Sequence, residues 1–331
     1  AKNEGGIIGF GSTYRIHEPG ALVFASAPFP VLEEEQQPTP PVVIGEGHCR
    51  TPFAGRSLVN VSAMSFGAIS RPAVLALSHG AAAAGCWLDT GEGGLSPYHL
   101  EGGCDLIFQI GTAKYGVRDE HGLLSDQRLR EVAGQASVRA FEIKLSQGAK
   151  PGKGGVLLGN KVTAEIAQIR GIPEGRDSLS PNRHPDIANV DELLDRIQHV
   201  REVTGKPVGV KTAIGGDRFM RELTAAIGRR GSQSAPDFLT IDGGEGGSGA
   251  APQALADHMA LSIDEALPLV ADALFASGLK DRIRLIAAGQ LVTPARVAWA
   301  LATGADFVNT ARGFMFSLGC IQALRCHSNT C

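Results

Sequence analysis

The chain has 331 residues, with 31 lysines and arginines against 34 aspartates and glutamates, a net charge of −3. Hydrophobic residues make up 43% and charged residues 20%, enough apolar side chain for a large core. This balance excludes a coiled coil, a disordered chain and a basic nucleic-acid binder, and the 43 glycines follow no collagen period.

In chain order, residues 1–55 come first. They hold Pro19, Pro28, Pro30, Pro38, Pro40, Pro41 and Pro52 and the acidic knot Glu33-Glu34-Glu35. This predicts an extended N-terminal arm that wraps the main domain, with a flexible linker as the competing reading. The sequence opens at Ala1 with no initiator Met and no signal-peptide core. The longest uncharged run, 72–88, is 17 residues rich in small Ala and Gly, too short for a membrane span. The expectation is a cytoplasmic protein recorded as a piece of a longer product. Membrane association through a segment upstream of Ala1 stays open.

Residues 56–331 alternate short β-branched runs with helical patterns. Strands are predicted at 59–64, 86–90, 106–110, 141–146, 207–212, 238–242, 284–289 and 306–310. Helices are predicted at 72–84, 191–204, 218–230, 262–277 and 294–303. The expected class is α/β, a (β/α)8 TIM barrel ending in a cysteine cluster, with a doubly wound open sheet as the alternative. The 5% of aromatic residues suits a barrel interior of branched aliphatics rather than rings.

The glycines gather just after the strands, as in Ser65-Phe66-Gly67, Thr90-Gly91-Glu92-Gly93-Gly94, Gly243-Gly244-Glu245-Gly246-Gly247-Ser248-Gly249 and Gly289-Gln290. In a barrel these loops share the C-terminal face, where active sites of this fold are built. Glycine there lets backbone approach a ligand closely. The loops after the last two strands, Gly289-Gln290 and Thr310-Ala311-Arg312-Gly313, are candidates for cradling a phosphate, with Arg312 as a direct partner. Lys144 and Lys211 sit in predicted strands among apolar neighbours. A buried ammonium needs an anionic partner: the electron-rich edge of a reduced flavin, or a barrel carboxylate. The tail carries Cys320-x5-Cys326-x4-Cys331, which suggests thiolate ligation. On spacing alone an iron–sulfur cluster and a zinc site with His327 are equal alternatives.

Several pieces in one order carry a resemblance. They are Met64-Ser65-Phe66-Gly67-Ala68-Ile69-Ser70, Thr90-Gly91-Glu92-Gly93-Gly94, Gln147-Gly148-Ala149-Lys150-Pro151-Gly152, Gly159-Asn160-Lys161-Val162, Ser180-Pro181 with His184 and Asp186, Gly246-Gly247-Ser248-Gly249-Ala250, and the terminal cysteines. From about Val59 onward the sequence resembles the FMN-binding synthase domain of glutamate synthase, in its short stand-alone form. The resemblance implies FMN on the C-terminal face and a [3Fe–4S] cluster on Cys320, Cys326 and Cys331. It implies a reaction in which 2-oxoglutarate and ammonia give 2-iminoglutarate, which reduced FMN converts to glutamate. Electrons would come from ferredoxin or a reductase subunit, and ammonia from a separate subunit. Lys150 and Arg170 would hold the keto acid, Glu92 would orient the imine or transfer a proton, and Gln147 would bond flavin or substrate. Met64, Ser65, Gly67, Thr90, Lys144, Lys211, Glu245, Gly247, Gly249, Gly289, Gln290, Thr310, Ala311 and Arg312 would line the flavin.

The departures lie near the substrate. Val156 and Lys153 stand where the family has a Gln and an acidic residue, and Pro185 replaces a His. Two alternatives therefore stay open: a related FMN/iron–sulfur enzyme acting on another keto or amino acid, such as one forming N-substituted glutamates, and a non-catalytic electron-transfer subunit.

Overall fold

The computed structural model describes residues 23–148, 150–248 and 251–326. Residues 1–39 and 40–331 form two separate units. In the first, the described part has no regular secondary structure apart from one 3-10 turn at Glu33–Glu35. The second begins with the hairpin β1 (Val42–Ile44) and β2 (Phe53–Gly55). The stretch expected to be all arm thus divides near residue 39, and its second part is regular structure.

The barrel strands are β3 (Val59–Val61), β4 (Trp87–Asp89), β5 (Asp105–Ile110) and β6 (Val138–Lys144). A long insertion carries the short antiparallel pair β7 (Val156–Leu157) and β8 (Ser178–Leu179). The barrel resumes with β9 (Val208–Thr212), β10 (Phe238–Asp242), β11 (Arg284–Ala288) and β12 (Phe307–Thr310). The eight barrel strands pair in parallel and β12 closes onto β3. The barrel reading holds and the open sheet does not. All eight strands fall where the sequence places them, with ends shifted by a few residues.

The helices are α1 (Arg71–Ala84), α2 (Pro97–Glu101), α3 (Asp126–Ala133), α4 (Ala164–Arg170), α5 (Val190–Thr204), α6 (Arg218–Arg230), α7 (Gln253–His258), α8 (Ile263–Ala276), α9 (Pro294–Ala302) and α10 (Arg312–Ser317). Local chemistry sets their ends. The Asn189 side chain accepts from Glu192 N to start α5, and Gly205 at φ 73° ends it. Ser262 and Glu265 form a capping box on α8. The main core lies between helices and barrel, for example Leu193, Leu194 and Ile197 of α5 with Val208 and Val210 of β9.

The lower barrel interior differs from the aliphatic filling expected. Trp87, Phe238 and Phe307 meet Ile107, Ala140 and Ile286, and Ile44 and Phe53 of the hairpin join the same buried cluster. Trp87 stacks edge-on with Phe307 at 4.7 Å and with Phe53 at 5.8 Å. Glycine makes room for these rings: a Cβ at Gly209 would lie 2.3 Å from Phe238, and one at Gly55 2.6 Å from Phe307. Four of the 18 aromatic residues, Phe53, Trp87, Phe238 and Phe307, meet here, and the hairpin supplies two of the plug's side chains.

Candidate active site

The upper end of the barrel gathers the predicted catalytic residues. Glu92 follows β4 and is wedged between two glycines: a Cβ at Gly111 would lie 2.6 Å from its Cβ, and one at Gly155 2.5 Å from Oε1. Its Oε2 pairs with Lys144 Nζ, at the end of β6, at 3.1 Å. Lys144 also donates to Gln147 Oε1 at 2.5 Å. Lys150, 3% exposed, donates to Gly154 O. Arg170 at the end of α4 donates to Ser178 Oγ at 3.2 Å and lies over the Tyr115 ring at 5.2 Å. Its guanidinium reaches the glycine loops, since a Cβ at Gly93 would come within 3.1 Å of it.

One carboxylate here faces three cations. Burial pushes Glu92 up, but Lys144, Lys150 and Arg170 outweigh it and hold the carboxyl below its ordinary range. Burial lowers Lys150, against the opposing charge of Glu92. Glu92 is therefore an ionised acceptor at neutral pH, and the surplus positive charge suits an anionic ligand. The cleft is tightly closed in this structure, with a cavity volume of about 10 Å³ between Thr112, Lys153, Pro181 and Asn182.

The two glycine loops pack on each other at backbone distance. Gly91 has φ 66°, and a Cβ there would meet Ser65 N at 2.6 Å. Gly67 has φ 96° and its N–H donates to Ile69 O. Met64 N donates to Asp89 O, and Thr90 Oγ1 accepts from Gln109 N. Residues 64–67 and 90–93 are thus one preorganised layer beside Glu92 and Arg170.

A second group forms at the ends of β10, β11 and β12. Gly289 has φ 141° and Gln290 φ 47°, and Gln290 Nε2 donates to Glu245 O at 2.7 Å. The Glu245 carboxylate accepts from Ile263 N at the start of α8, at 3.0 and 3.1 Å, so its charge is engaged as a helix cap. Arg312 lies against Gly247, where a Cβ would be 2.3 Å from its guanidinium, and it has no side-chain hydrogen bond among the described residues. Thr310 Oγ1 accepts from Gly313 N, and Ala311 precedes α10. These residues converge as a cationic, glycine-lined end of the face. Gly249 lies outside the described residues.

Of the two strand lysines, Lys144 takes the carboxylate alternative directly. Lys211, 5% exposed, lies in the field of Asp242, Glu142, Asp89 and Glu92. Burial disfavours its charge, yet those carboxyls raise its affinity for the proton above the ordinary value. Among the cysteines, Cys320 and Cys326 are free thiols, and Cys331 and His327 lie outside the described residues. Among the described residues no three metal-ligating side chains converge. Buried Lys161 donates to Cys326 O at 2.8 Å and Ala68 O at 3.5 Å, tying the cysteine segment to the 65–69 loop.

Sequence reasoning missed the polar filling of the upper barrel. Glu142, fully buried, accepts from Gln109 Nε2 at 2.7 Å and Thr240 Oγ1 at 2.5 Å. A signal was present: Glu142 is two residues before Lys144 in a strand, so both project to the same side. His184 is also engaged through Nε2, donating to Lys144 O at 3.0 Å while burial holds its pKa down to about 4. Asp186 pairs with Lys114 at 2.9 Å and with Arg196 at 2.7 Å.

The family described as the conserved region in glutamate synthase matches residues 25–331. A glutamate synthase large subunit-like protein of Bacillus subtilis, YerD, is 48% identical over 87% of this chain and 55% of its own length. An archaeal glutamate synthase [NADPH] of Methanocaldococcus jannaschii is 36% identical over 82% of this chain and 50% of its own. The chain spans about half the length of these relatives. Among solved structures, the flavin-binding domain of baker's yeast flavocytochrome b2 superposes with a TM-score of 0.52 at 15% identity, covering 86% of this chain and 65% of that one. A lactate oxidase of Pediococcus acidilactici gives 0.52 at 16% identity, covering 88% and 71%. At such identities the likeness is one of fold. Among the described residues, no helix is long and apolar enough to cross a membrane.

Proposed function

The chain belongs to the glutamate synthase family, and from that premise we propose that it is an FMN-dependent oxidoreductase that reductively aminates 2-oxoglutarate through 2-iminoglutarate. The observation that carries the reading is the ionised Glu92 set among Lys144, Lys150 and Arg170. Lys150 and Arg170 would pair with the two carboxylates of the keto acid. Glu92 would accept an N–H of the protonated imine, hold its C=N bond in place and take up or return the proton on nitrogen. Gln147, whose Oε1 already accepts a hydrogen bond from Lys144, would offer its amide N–H to flavin or substrate.

A flavin fits this face by donor chemistry. Arg312 and the 311–313 amides would receive its phosphate. The 64–67 and 90–93 layer would line its ring with Thr90, and Lys211 would face its anionic edge. Gly247, Gly249, Gly289 and Gln290 would leave room for the chain between, with Glu245 holding that loop. When bound, FMN supplies the two-electron reductant, and a [3Fe–4S] cluster on Cys320, Cys326 and Cys331 would feed it single electrons. The electron donor would be a ferredoxin or a reductase subunit, with ammonia from a separate subunit. Water exclusion falls to the insertion carrying Lys150, Gly154 and Gly155, which covers Glu92.

The test is anaerobic reduction of the protein followed by 2-oxoglutarate with ammonia, reading flavin absorbance. Reoxidation faster than in buffer is expected, and no acceleration would refute the reading. Metal analysis should give about three irons per chain; zinc without iron would overturn the cluster. One observation favours a second reading. Lys153 lines the cleft beside Glu92, and Val156 is exposed next to Gly155, so another keto or amino acid, including one giving an N-substituted glutamate, would meet an added cation and an apolar wall. Reoxidation by a different keto acid or with an alkylamine in place of ammonia would favour it.

A further inference from the structure

Asp89 ends β4 inside the barrel, 1% exposed, three residues before Glu92. Its Oδ1 accepts from Gly91 N at 2.8 Å. Its Oδ2 is buried and has no hydrogen-bond partner among the described residues. Asp89 of β4 pairs alongside β5, whose Gln109 side chain donates to the Glu142 carboxyl of β6, so the two buried carboxyls flank the same inner stretch of β5. Both Glu142 oxygens already accept a hydrogen bond, from Gln109 and Thr240.

Two acceptor-only carboxylates buried together are unfavourable: their charges repel and each lacks a donor toward the other. Gln109 of β5 and Thr240 of β10 are neutral. Lys211 of β9 is the cation, and its field is shared among Glu142, Asp242, Asp89 and Glu92. One ammonium does not neutralise that set, whereas one proton between Asp89 and Glu142 removes both the repulsion and the orphaned oxygen.

We propose that Asp89 is a positioning residue: its neutral carboxylic acid donates from Oδ2 to Glu142 while Oδ1 holds the Gly91 N–H, fixing the turn that presents Glu92 to Lys144. Burial and the charge of Glu142 both push the Asp89 acid toward the protonated form, with Lys211 opposing. The turn needs such a hold, because Gly91 has φ 66° and its neighbour Ser65 leaves no slack. The consequence for Glu92 rests on the proposed reading of that residue; the protonation of Asp89 does not.

Infrared difference spectroscopy of the full chain at neutral pH reads the proton directly. A carbonyl band of a protonated carboxyl group is expected in the wild type and absent in Asp89→Asn; its absence from the wild type, or persistence in Asp89→Asn, overturns the proposal. The positioning role is read by titrating the flavin spectrum of the FMN-loaded protein with 2-oxoglutarate. Asp89→Leu should weaken binding about tenfold, and Asp89→Asn, which keeps a donor toward Glu142 and an acceptor for Gly91, should restore it to within about threefold. Equal losses in both, or none in Asp89→Leu, overturn the role. If the wild type binds no 2-oxoglutarate, the functional reading fails while the infrared result still decides the state of Asp89.

Discussion

Replacing Lys144 by Met removes a single charge from the centre of the candidate site. The Lys144 ammonium is 3.1 Å from the Glu92 carboxylate, and the two side chains are 11% and 20% exposed. At an effective dielectric of about 20, unit charges at that separation attract by about 5 kcal/mol. Lys150 and Arg170 remain to hold Glu92, and both partners are desolvated in the wild type, so the net cost is smaller, about 3 kcal/mol. A double-mutant cycle of Lys144→Met with Glu92→Gln, measured by urea unfolding, should give a coupling energy of about 2–3 kcal/mol. Glu92 in Lys144→Met should also take its proton at higher pH, because burial opposes its charge and its nearest compensating cation is gone. The acid limb of the pH profile for 2-oxoglutarate-dependent flavin reoxidation should therefore move to higher pH. A coupling below about 0.5 kcal/mol, or superimposable acid limbs, would refute the assignment of Lys144 as the group that keeps Glu92 ionised.

Glu92→Gln alone should slow that reoxidation by about 10²–10⁴-fold, the range for a lost acid–base group, while the flavin content measured by absorbance stays at the wild-type level; an unchanged rate would remove Glu92 from the chemistry. Gly91→Ala puts a Cβ 2.6 Å from Ser65 N at φ 66°, which should cost about 2 kcal/mol or more and lower flavin content; full flavin loading at unchanged urea midpoint would show that the two loops do not meet as described. His99 and His184 are buried and held at about 4, against an ordinary 6.5. Their folded-state values are depressed, so the folded protein binds fewer protons; the stability they contribute is present above about pH 6.5 and lost as pH falls toward about 4, roughly 3 kcal/mol for each. His184→Gln should flatten that acid decline in urea midpoints, and an unchanged slope would mean that His184 is already protonated in the fold.

Much of this architecture was legible in the sequence because it depends on local pattern. Runs such as Phe-Leu-Thr-Ile-Asp at 238–242 and Val-Gly-Val-Lys-Thr at 208–212 have the β-branched content of buried strands. Asn189 and Ser262 mark helix starts, and Gly205 a helix end, by chemistry confined to a few residues. The site was legible in parts for the same reason: Gly91 is needed where backbone meets backbone, and Lys144 needed an anion. The terminal cysteines were legible as a ligand pattern, but Cys331 lies outside the described residues. What the sequence withheld was pairing. Nothing in the 51 residues between them says that Glu92 and Lys144 will meet, and nothing local says that the Lys161 ammonium will reach the carbonyl of Cys326.

The sequence by itself determined an eight-stranded α/β barrel with its chemistry on the glycine-rich face, because strand alternation and turn residues act over a few positions. The tertiary structure decided which charges neutralise which. Barrel closure brought β4, β6, β9 and β10 together, burying Asp89, Glu142, Lys211 and Thr240 in one interior above a plug of Trp87, Phe238 and Phe307. The same closure set Glu245 to capping α8 rather than leaving its charge free. The physical reason is range: hydrophobic pattern and propensity act locally along the chain, whereas a protonation state or an ion pair depends on distances that exist only after residues far apart in sequence share one low-dielectric space.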